Sequence, residues 1–188
     1  MQTKFIKNIP NKIKFKNKYR IPSARLPNYD YSQNGSYFIT ICTKNRESFF
    51  GEIKNGKMQL SEIGKIVAIE WIKTEQIRSH IILGQWMIMP NHFHGILIVN
   101  NDGLQKRSNK YYGSNPQMSQ ISPTKNSIST AIRFFKRQTT IESRKINPNF
   151  AWQSRFHDHI IRNENEFNRI SQYIMFNPRN WKNDKFAL

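Results

Sequence analysis

Two histidines, His92 and His94, are the residues of this sequence whose type and spacing most clearly suggest chemistry. They lie in the segment MPNHFHG, residues 89–95, which leads directly into an apolar run over residues 96–99. In a β-strand, residues i and i+2 point to the same face about 6.5 Å apart, so both imidazoles can turn a ring nitrogen toward one metal ion. Burying two imidazoles among apolar residues costs free energy unless they are bound, and a metal binds them. A pair of half-buried histidines bonded only to protein groups is the alternative.

Tyr173 and Asn177 form a second candidate pair, near the end of the chain. They are spaced i and i+4, which places them on one side of a helix and one turn apart. A tyrosine phenol is a weak nucleophile at its usual pKa of about 10, but a divalent cation that polarises a phosphate reduces what the phenol must do. For Tyr173, the alternative is a helix tyrosine that covers the edge of the core.

The composition indicates what such a site would act on. The chain has 188 residues with 30 Lys and Arg against 12 Asp and Glu, which gives a formal net charge of +18. This length suits one domain, and 37% hydrophobic residues are enough for a core. The charge predicts a polyanionic partner, with nucleic acid first and an anionic membrane surface second. The alternative is a basic composition inherited from an A/T-rich genome.

The cysteine content and the length of the apolar runs exclude several further classes of protein. Cys42 is the single cysteine, so a disulfide framework and a cysteine-based zinc site are excluded, and a reducing cytoplasm is the expected location. The longest apolar runs fall well short of the roughly 20 residues that a spanning helix needs. The basic N-terminus has no apolar segment after it and therefore does not resemble a secretory signal.

Periodicity and turn residues predict the elements that position these side chains. A strand is expected over residues 37–43, a hairpin over 50–60 around Asn55-Gly56, a helix from Ser61 to about Arg78, strands over 83–89 and 92–99, a helix from Ser127 or Ser129, a strand over 152–161, and a last helix from Asn163 to Asn177. This order predicts an α+β fold of ferredoxin-like (RRM-like) type, an antiparallel sheet with helices on one face. Residues 31–188 would form this single domain, with a flexible loop at about 100–127 and a basic N-terminal arm over 1–30.

Basic residues on the second predicted helix give a candidate nucleic-acid surface. Arg133, Lys136 and Arg137 are spaced i, i+3 and i+4, opposite an apolar stripe, and such a row suits a phosphate backbone. The alternative for this row is a helix face that is only solvated. The alternative for the N-terminal arm is a solvated tail with no specific role. Aromatic residues among the basic ones can stack unpaired bases, although Trp152 suits a core position equally well; these are Tyr111, Tyr112 and Trp152.

Several segments together resemble one protein family. Residues 89–96 resemble the HUH motif (histidine, bulky apolar residue, histidine) of single-tyrosine transposases. Residues 152–163 and the segment YIMFNP at 173–178 resemble the C-terminal signature of the REP-associated tyrosine transposases. Residues 30–32, 37–43 and Phe50-Gly51 also stand where that family has them, so the resemblance extends from about residue 25 to 181.

The resemblance implies roles for individual residues on a fold of HUH endonuclease type. His92, His94 and Asn177 would be metal ligands, and Tyr173 the nucleophile that attacks single-stranded DNA to give a 5′-phosphotyrosine and a free 3′-hydroxyl. It implies magnesium or manganese, whereas two imidazoles alone would favour zinc, manganese or nickel. Its implied partner is single-stranded DNA with REP-like hairpins, and no membrane. The candidate DNA contacts are Arg20, Arg25, Arg133, Lys136, Arg137, Arg155 and Arg162.

The sequence leaves some alternatives open. His157 and His159 form a second H-x-H. A four-histidine site is geometrically conceivable, but a surface His157 and a structural or DNA-contacting His159 is the preferred interpretation. Two other functions compete with a transposase that nicks and transfers DNA: a non-catalytic module that binds single strands or hairpins, and a metal phosphohydrolase in which water attacks. A monomer and a homodimer are both compatible with the sequence.

Overall fold

The computed structural model of the protein describes Leu26, residues 29–102 and residues 126–187. The expectations for the N-terminal arm and for most of the loop at 100–127 therefore lie outside the described residues. The same holds for four individual predictions, those for Arg20, Arg25, Tyr111 and Tyr112.

The central sheet consists of four strands, β1 Gly35–Cys42, β4 Ile81–Met89, β5 His92–Val99 and β6 His157–Ile161, and a separate hairpin consists of β2 Gly51–Lys54 and β3 Lys57–Leu60. The four strands of the central sheet are antiparallel and lie in the order β4-β5-β1-β6. The helices are α1 Glu62–Ile77, α2 Ile128–Arg144 and α3 Glu164–Phe176, and short 3₁₀ helices span Lys44–Arg46 and Asn177–Asn183. Among the described residues, no helix is long and apolar enough to cross a membrane.

Local sequence signals explain where these elements begin. The side chains of Ser61, Ser127 and Asn163 cap the three helices by accepting a hydrogen bond from a backbone N–H three residues later. Asn55 and Gly56 both have positive φ, at 50° and 70°, as a two-residue hairpin turn requires. The helix starts and the hairpin turn predicted from the sequence are therefore confirmed.

The strand predicted over residues 152–161 is shorter in the structure. Trp152 forms only an isolated bridge with Thr43, and continuous pairing with β1 begins at His157. Arg155 lies between them with φ of 70°, a left-handed conformation that interrupts an extended chain. The prediction is correct for residues 157–161 and wrong for the residues before them, which form a loop.

Both faces of the sheet are covered. On one face, α1 and α2 enclose the main core. On the other, Ile170 and Ile174 of α3 pack against Ile96 and Ile161. The predicted α+β class with an antiparallel sheet is confirmed, but α3 lies on the second face instead of joining the other two helices. The reason is β5, a central strand that is apolar on both faces after Gly95, so each face needs a cover.

Candidate active site

Strand β5 holds His92 and His94 on the face of the sheet that α3 covers. His94 pairs with Thr40 of β1 and Met87 of β4, and both histidines are buried. Phe93, between them, points into the core on the opposite face. Gly95 lets the core approach closely, because a Cβ there would lie 2.7 Å from the Trp71 ring. The side-chain alternation assumed from the sequence is thus present.

The two imidazoles converge on one point. His92 Nε2 and His94 Nε2 lie 3.1 Å apart. Asn91 Nδ2 donates to the Phe186 carbonyl at 2.8 Å, which orients the amide so that its Oδ1 accepts from His92 Nδ1 at 2.9 Å. His92 Nε2 therefore presents a lone pair. Thr40 Oγ1 lies 2.9 Å from His94 Nδ1 and can accept a hydrogen bond from its N–H, which leaves the His94 Nε2 lone pair equally free to bind a cation.

Burial keeps both rings neutral. Desolvation, with smaller contributions from the charges of Lys185 and Arg46, lowers the pKa of His92 to about 3. Burial also lowers the pKa of His94 well below its ordinary value, and the neighbouring His92 adds to the effect. Neutral imidazole is the form that binds metal ions, so the pair is ready to act as ligands at neutral pH.

Oxygen donors lie next to the imidazoles. The ligand atoms of His92, His94 and Asp184 all lie within 4.8 Å of one another. Asn177 Nδ2 donates to Asp184 Oδ2 at 3.1 Å, and Asn177 Oδ1 is buried with no hydrogen-bond partner among the described residues. An orphaned buried acceptor beside a carboxylate and two neutral imidazoles fits a divalent cation. The sequence analysis missed Asp184, because only the 3₁₀ helix Asn177–Asn183 turns the chain back and brings it here.

Tyr173 lies over this cluster from α3. Its hydroxyl oxygen is 3.3 Å from His94 Nε2, and the side chain is 43% exposed, so a substrate can reach it. Burial of the phenol and the charge of Asp184 raise the pKa of Tyr173, whereas a hydrogen bond with Asn177 lowers it. The structure therefore brings together the four residues that the family resemblance assigned to chemistry: His92, His94, Tyr173 and Asn177.

A cavity of about 910 Å³ opens from Tyr173 and His94 toward β6 and the loop before it. His157 and His159 both line it, and His159 Nε2 is 2.8 Å from Glu166 Oε1. Within the described part of the chain, the group of potential metal ligands contains His92, His94 and Asp184 and neither histidine of the second H-x-H. His157 and His159 thus line the cavity wall and lie outside this group, and their roles stay predictions.

The predicted DNA contacts occupy different places. Arg155 lines the cavity, while Arg133 and Arg137 are exposed on α2. Arg162 lies in the turn between β6 and α3, where its backbone N–H donates to Glu166. Their contacts with DNA stay predictions.

The Lys136 ammonium forms hydrogen bonds within the protein. Its Nζ donates to the carbonyls of Gln153 and Arg155 at 2.7 and 2.8 Å. Burial lowers the pKa of Lys136 to about 8. For Trp152, the sequence left open a base-stacking surface and a core position. Trp152 is half-buried and packs against Phe50 and Phe150 in the core.

No model of a known protein family matches the chain. A structure of the REP-associated tyrosine transposase bound to a REP hairpin matches with a TM-score of 0.54 and 22% identity, over 87% of this chain and 73% of that one. A proposed transposase from Deinococcus radiodurans gives a TM-score of 0.44 and 15% identity, over 80% and 95% of the two chains, which is too low to establish a shared fold.

The first of these structures shows the fold: the chain has the fold of a REP-associated tyrosine transposase, as the sequence resemblance implied. A sequence relative defines the family more closely. An uncharacterized protein of Haemophilus influenzae is 36% identical over 164 residues, which cover 87% of this chain and 91% of the relative. The chain belongs to the family of that Haemophilus influenzae protein.

Proposed function

We propose that the protein is a REP-associated tyrosine transposase, an HUH enzyme that cleaves single-stranded DNA beside a hairpin and rejoins it to a new end. The observation that carries the proposal is the convergence of His92 Nε2, His94 Nε2 and the Tyr173 hydroxyl, at 3.1 and 3.3 Å, beside the cavity that His94 and Tyr173 line. The fold shared with a REP-associated tyrosine transposase supports it. A nucleophile beside a site for a cation is the arrangement that phosphoryl transfer needs.

His92 and His94 would hold a divalent cation, with oxygen ligands from Asn177 and Asp184. Such an ion, when bound, supplies Lewis-acid polarisation of the target phosphate. The mixture of imidazole and oxygen donors suits manganese well and admits magnesium, and we propose one of these two ions. Asn91 and Thr40 act behind the histidines, because they bind the Nδ1 atoms and thereby aim the Nε2 lone pairs into the site.

Tyr173 would perform the covalent step. Its hydroxyl oxygen attacks phosphorus, the bond from phosphorus to the 3′-oxygen breaks, and a 5′-phosphotyrosine and a free 3′-hydroxyl result. The phenol loses its proton and the departing 3′-oxygen gains one, so charge balances without ATP. The hydrogen bond from Asn177 assists by lowering the pKa of Tyr173, against the effect of burial and Asp184. Attack by a 3′-hydroxyl on the phosphotyrosine reverses the reaction and joins the new strand.

The proposed substrate is single-stranded DNA carrying a REP-like hairpin. The net charge of +18 suits a nucleic-acid partner. The structural neighbour was solved with a REP hairpin, which gives the hairpin as the first substrate to try.

An adduct assay tests this proposal. A hairpin oligonucleotide with single-stranded flanks, labelled at its 3′ end, is incubated with the full chain and magnesium or manganese, then run on a denaturing gel. We expect a labelled band at the size of protein plus DNA, because the 5′-phosphotyrosine retains the 3′ fragment. A chelator and the substitution Tyr173→Phe should each abolish the band.

The matched control is Tyr29→Phe, which removes a hydroxyl from the core on the opposite face of the sheet and should leave the adduct unchanged. Two results would contradict the proposal. A free 5′-phosphate fragment with no attached protein would indicate attack by water, as in a phosphohydrolase. Tight, chelator-indifferent binding with no cleavage would indicate a non-catalytic DNA-binding module.

A further inference from the structure

A basic groove lies beside the active-site cavity, between α2 and the loop before β6. We call it the α2 groove; its lining residues that matter here are Arg133, Lys136, Arg137, Arg144, Trp152 and Ser154. It has a volume of about 470 Å³. Four of its described lining residues are cationic and none is acidic, so the groove is suited to an anionic ligand.

The α2 groove and the active-site cavity share a wall. Gln153 and Ser154 line both of them. Lys136 holds this wall in place from the α2 side through the carbonyls of Gln153 and Arg155, and Gln153 N donates to the Cys42 carbonyl at 2.9 Å on the sheet side. A ligand that leaves the cavity over Ser154 therefore enters the groove at once.

The exposed cations of the groove are available to such a ligand. On α1, Lys65 and Lys73 each form an ion pair with a glutamate three residues earlier. Among the ion pairs of the described residues, none includes Arg133 or Arg137. Arg137 donates to the neutral amide of Gln138 at 2.8 Å, and the Arg133 guanidinium lies 5.6 Å from the Phe134 ring. Two neighbouring guanidinium groups without a carboxylate partner can bind phosphates.

We infer that the α2 groove binds the single-stranded flank of the DNA substrate as it leaves the cavity past Ser154. Arg133 and Arg137 contact its phosphates, while Lys136 is a positioning residue that supports the loop. The inference rests on the proposed function, because it takes the strand in the cavity to be DNA.

The shape and chemistry of the groove favour a single strand. Arg133, Arg137 and Arg144 extend over about 16 Å of the helix axis, at about 1.5 Å per residue, which is longer than one phosphate. The half-buried Trp152 lines the groove among these cations. Basic residues combined with an aromatic surface are typical of sites that bind single-stranded nucleic acids.

A binding experiment with trimmed DNA tests this inference. The double variant Arg133→Gln, Arg137→Gln is made in the Tyr173→Phe protein, which should bind DNA without cleaving it, and affinity is measured by fluorescence anisotropy. Three oligonucleotides carry the same hairpin: one with both single-stranded flanks, one trimmed on the 5′ side and one on the 3′ side. We expect about tenfold weaker binding of the doubly flanked DNA, and a penalty below about twofold once the flank that occupies the groove is trimmed.

Salt dependence provides a second measurement. Each phosphate contact with a single strand contributes about 0.7 to the slope of log affinity against log salt, so the double variant should flatten the slope by about 1.4. The matched control is Lys65→Gln, Lys145→Gln, which removes two charges that are paired with glutamates outside the groove. It should weaken binding of the flanked DNA by less than about twofold.

The inference is overturned if the penalty persists in both of the trimmed oligonucleotides, because the arginines would then act on the hairpin or on the DNA in general. It is also overturned if the control double variant loses as much affinity. The readout is independent of cleavage. Failure of the wild-type protein to form an adduct would therefore count against the proposed function, and loss of the flank effect against the groove.

Discussion

The two faces of strands β1 and β5 differ sharply in polarity around the candidate site. Tyr37, Ile39 and Ile41 of β1 lie in a largely apolar core under α1 and α2. Thr40 and Cys42, which alternate with these residues along β1, point to the other face and line the cavity with His94. The polar face buries both candidate metal ligands of β5 at 0 and 1% exposure, as deeply as the core residues.

This difference shows how one strand can serve stability and chemistry at once. The apolar face gains free energy from burial and packing, whereas a buried polar group costs free energy unless each of its hydrogen-bonding atoms is satisfied. Thr40 and Asn91 satisfy the Nδ1 atoms of the histidines, and the Nε2 atoms are left facing each other. The packed core on one face of the sheet thus supports a polar site on the other face, where the two Nε2 lone pairs are left to bind a ligand.

The largest expected effect is on the apolar face. Phe93→Ala should lower the free energy of unfolding by about 3–5 kcal/mol, because the ring is fully buried, 4.5 Å from the Trp71 ring by centroid, and its loss leaves a cavity. Chemical denaturation at neutral pH measures this. An unfolding free energy equal to that of the wild-type protein would show that the apolar face is not the main source of stability.

An intermediate effect is expected on the polar face. Thr40→Val removes the oxygen beside His94 Nδ1 and should weaken Mn²⁺ binding by about 10–100-fold, because the ring is no longer held in the orientation and tautomer that face the site. Isothermal titration calorimetry with Mn²⁺ measures it. Thr74→Val is the matched control, since this buried threonine donates to the Glu70 carbonyl on α1. Unchanged Mn²⁺ affinity in Thr40→Val would refute the assigned role.

The smallest effect is expected where α3 begins, beside the polar face. The Arg162 N–H and His159 donate to the Glu166 carboxylate, and these hydrogen bonds hold the pKa of Glu166 below its ordinary value. The stabilisation is therefore present above the pKa that Glu166 has in the unfolded chain, and it is lost as the pH falls through the lowered folded-state pKa. Glu166→Gln should lower Tm slightly at pH 7, and the difference from wild type should shrink as the pH is lowered into the acid range.

Glu164→Gln makes the same charge change in the first turn of α3 and is the control for the helix-dipole contribution. It should lower Tm less than Glu166→Gln at pH 7. Equal Tm losses for the two variants at pH 7 would show that the hydrogen bonds of Glu166 contribute nothing beyond its charge.

Much of the fold was predictable because its signals are local. Ser61, Ser127 and Asn163 begin helices where side-chain capping places them, and Asn55-Gly56 closes the hairpin. The prediction that the last strand begins at Trp152 was wrong. The apolar and aromatic residues from Trp152 onward suit a strand, but Arg155 adopts a positive φ that interrupts it. The position of α3 on the second face was also missed, because composition does not show which face of a two-sided strand a helix will cover.

The candidate site was predictable in part. His92 and His94 share a face by strand geometry alone, and the family resemblance supplied Tyr173 and Asn177. Asp184 carried no signal, because its place depends on the 3₁₀ helix before it. Lys136 fitted a basic stripe on α2, yet its ammonium binds two carbonyls of the loop that follows.

Composition alone fixes the excess of positive charge. Local sequence patterns specify the strands whose alternation separates His92 and His94 from Phe93, and they specify the capped helices. These local features follow from interactions between residues a few positions apart, which the order of residues specifies directly. The tertiary structure alone decided that Tyr173 meets a histidine 79 positions away and that Asp184 joins them. It also placed the α2 groove against the same loop as the cavity. Such contacts depend on how α2, α3 and the chain after α3 pack on the sheet, and no local pattern encodes that packing.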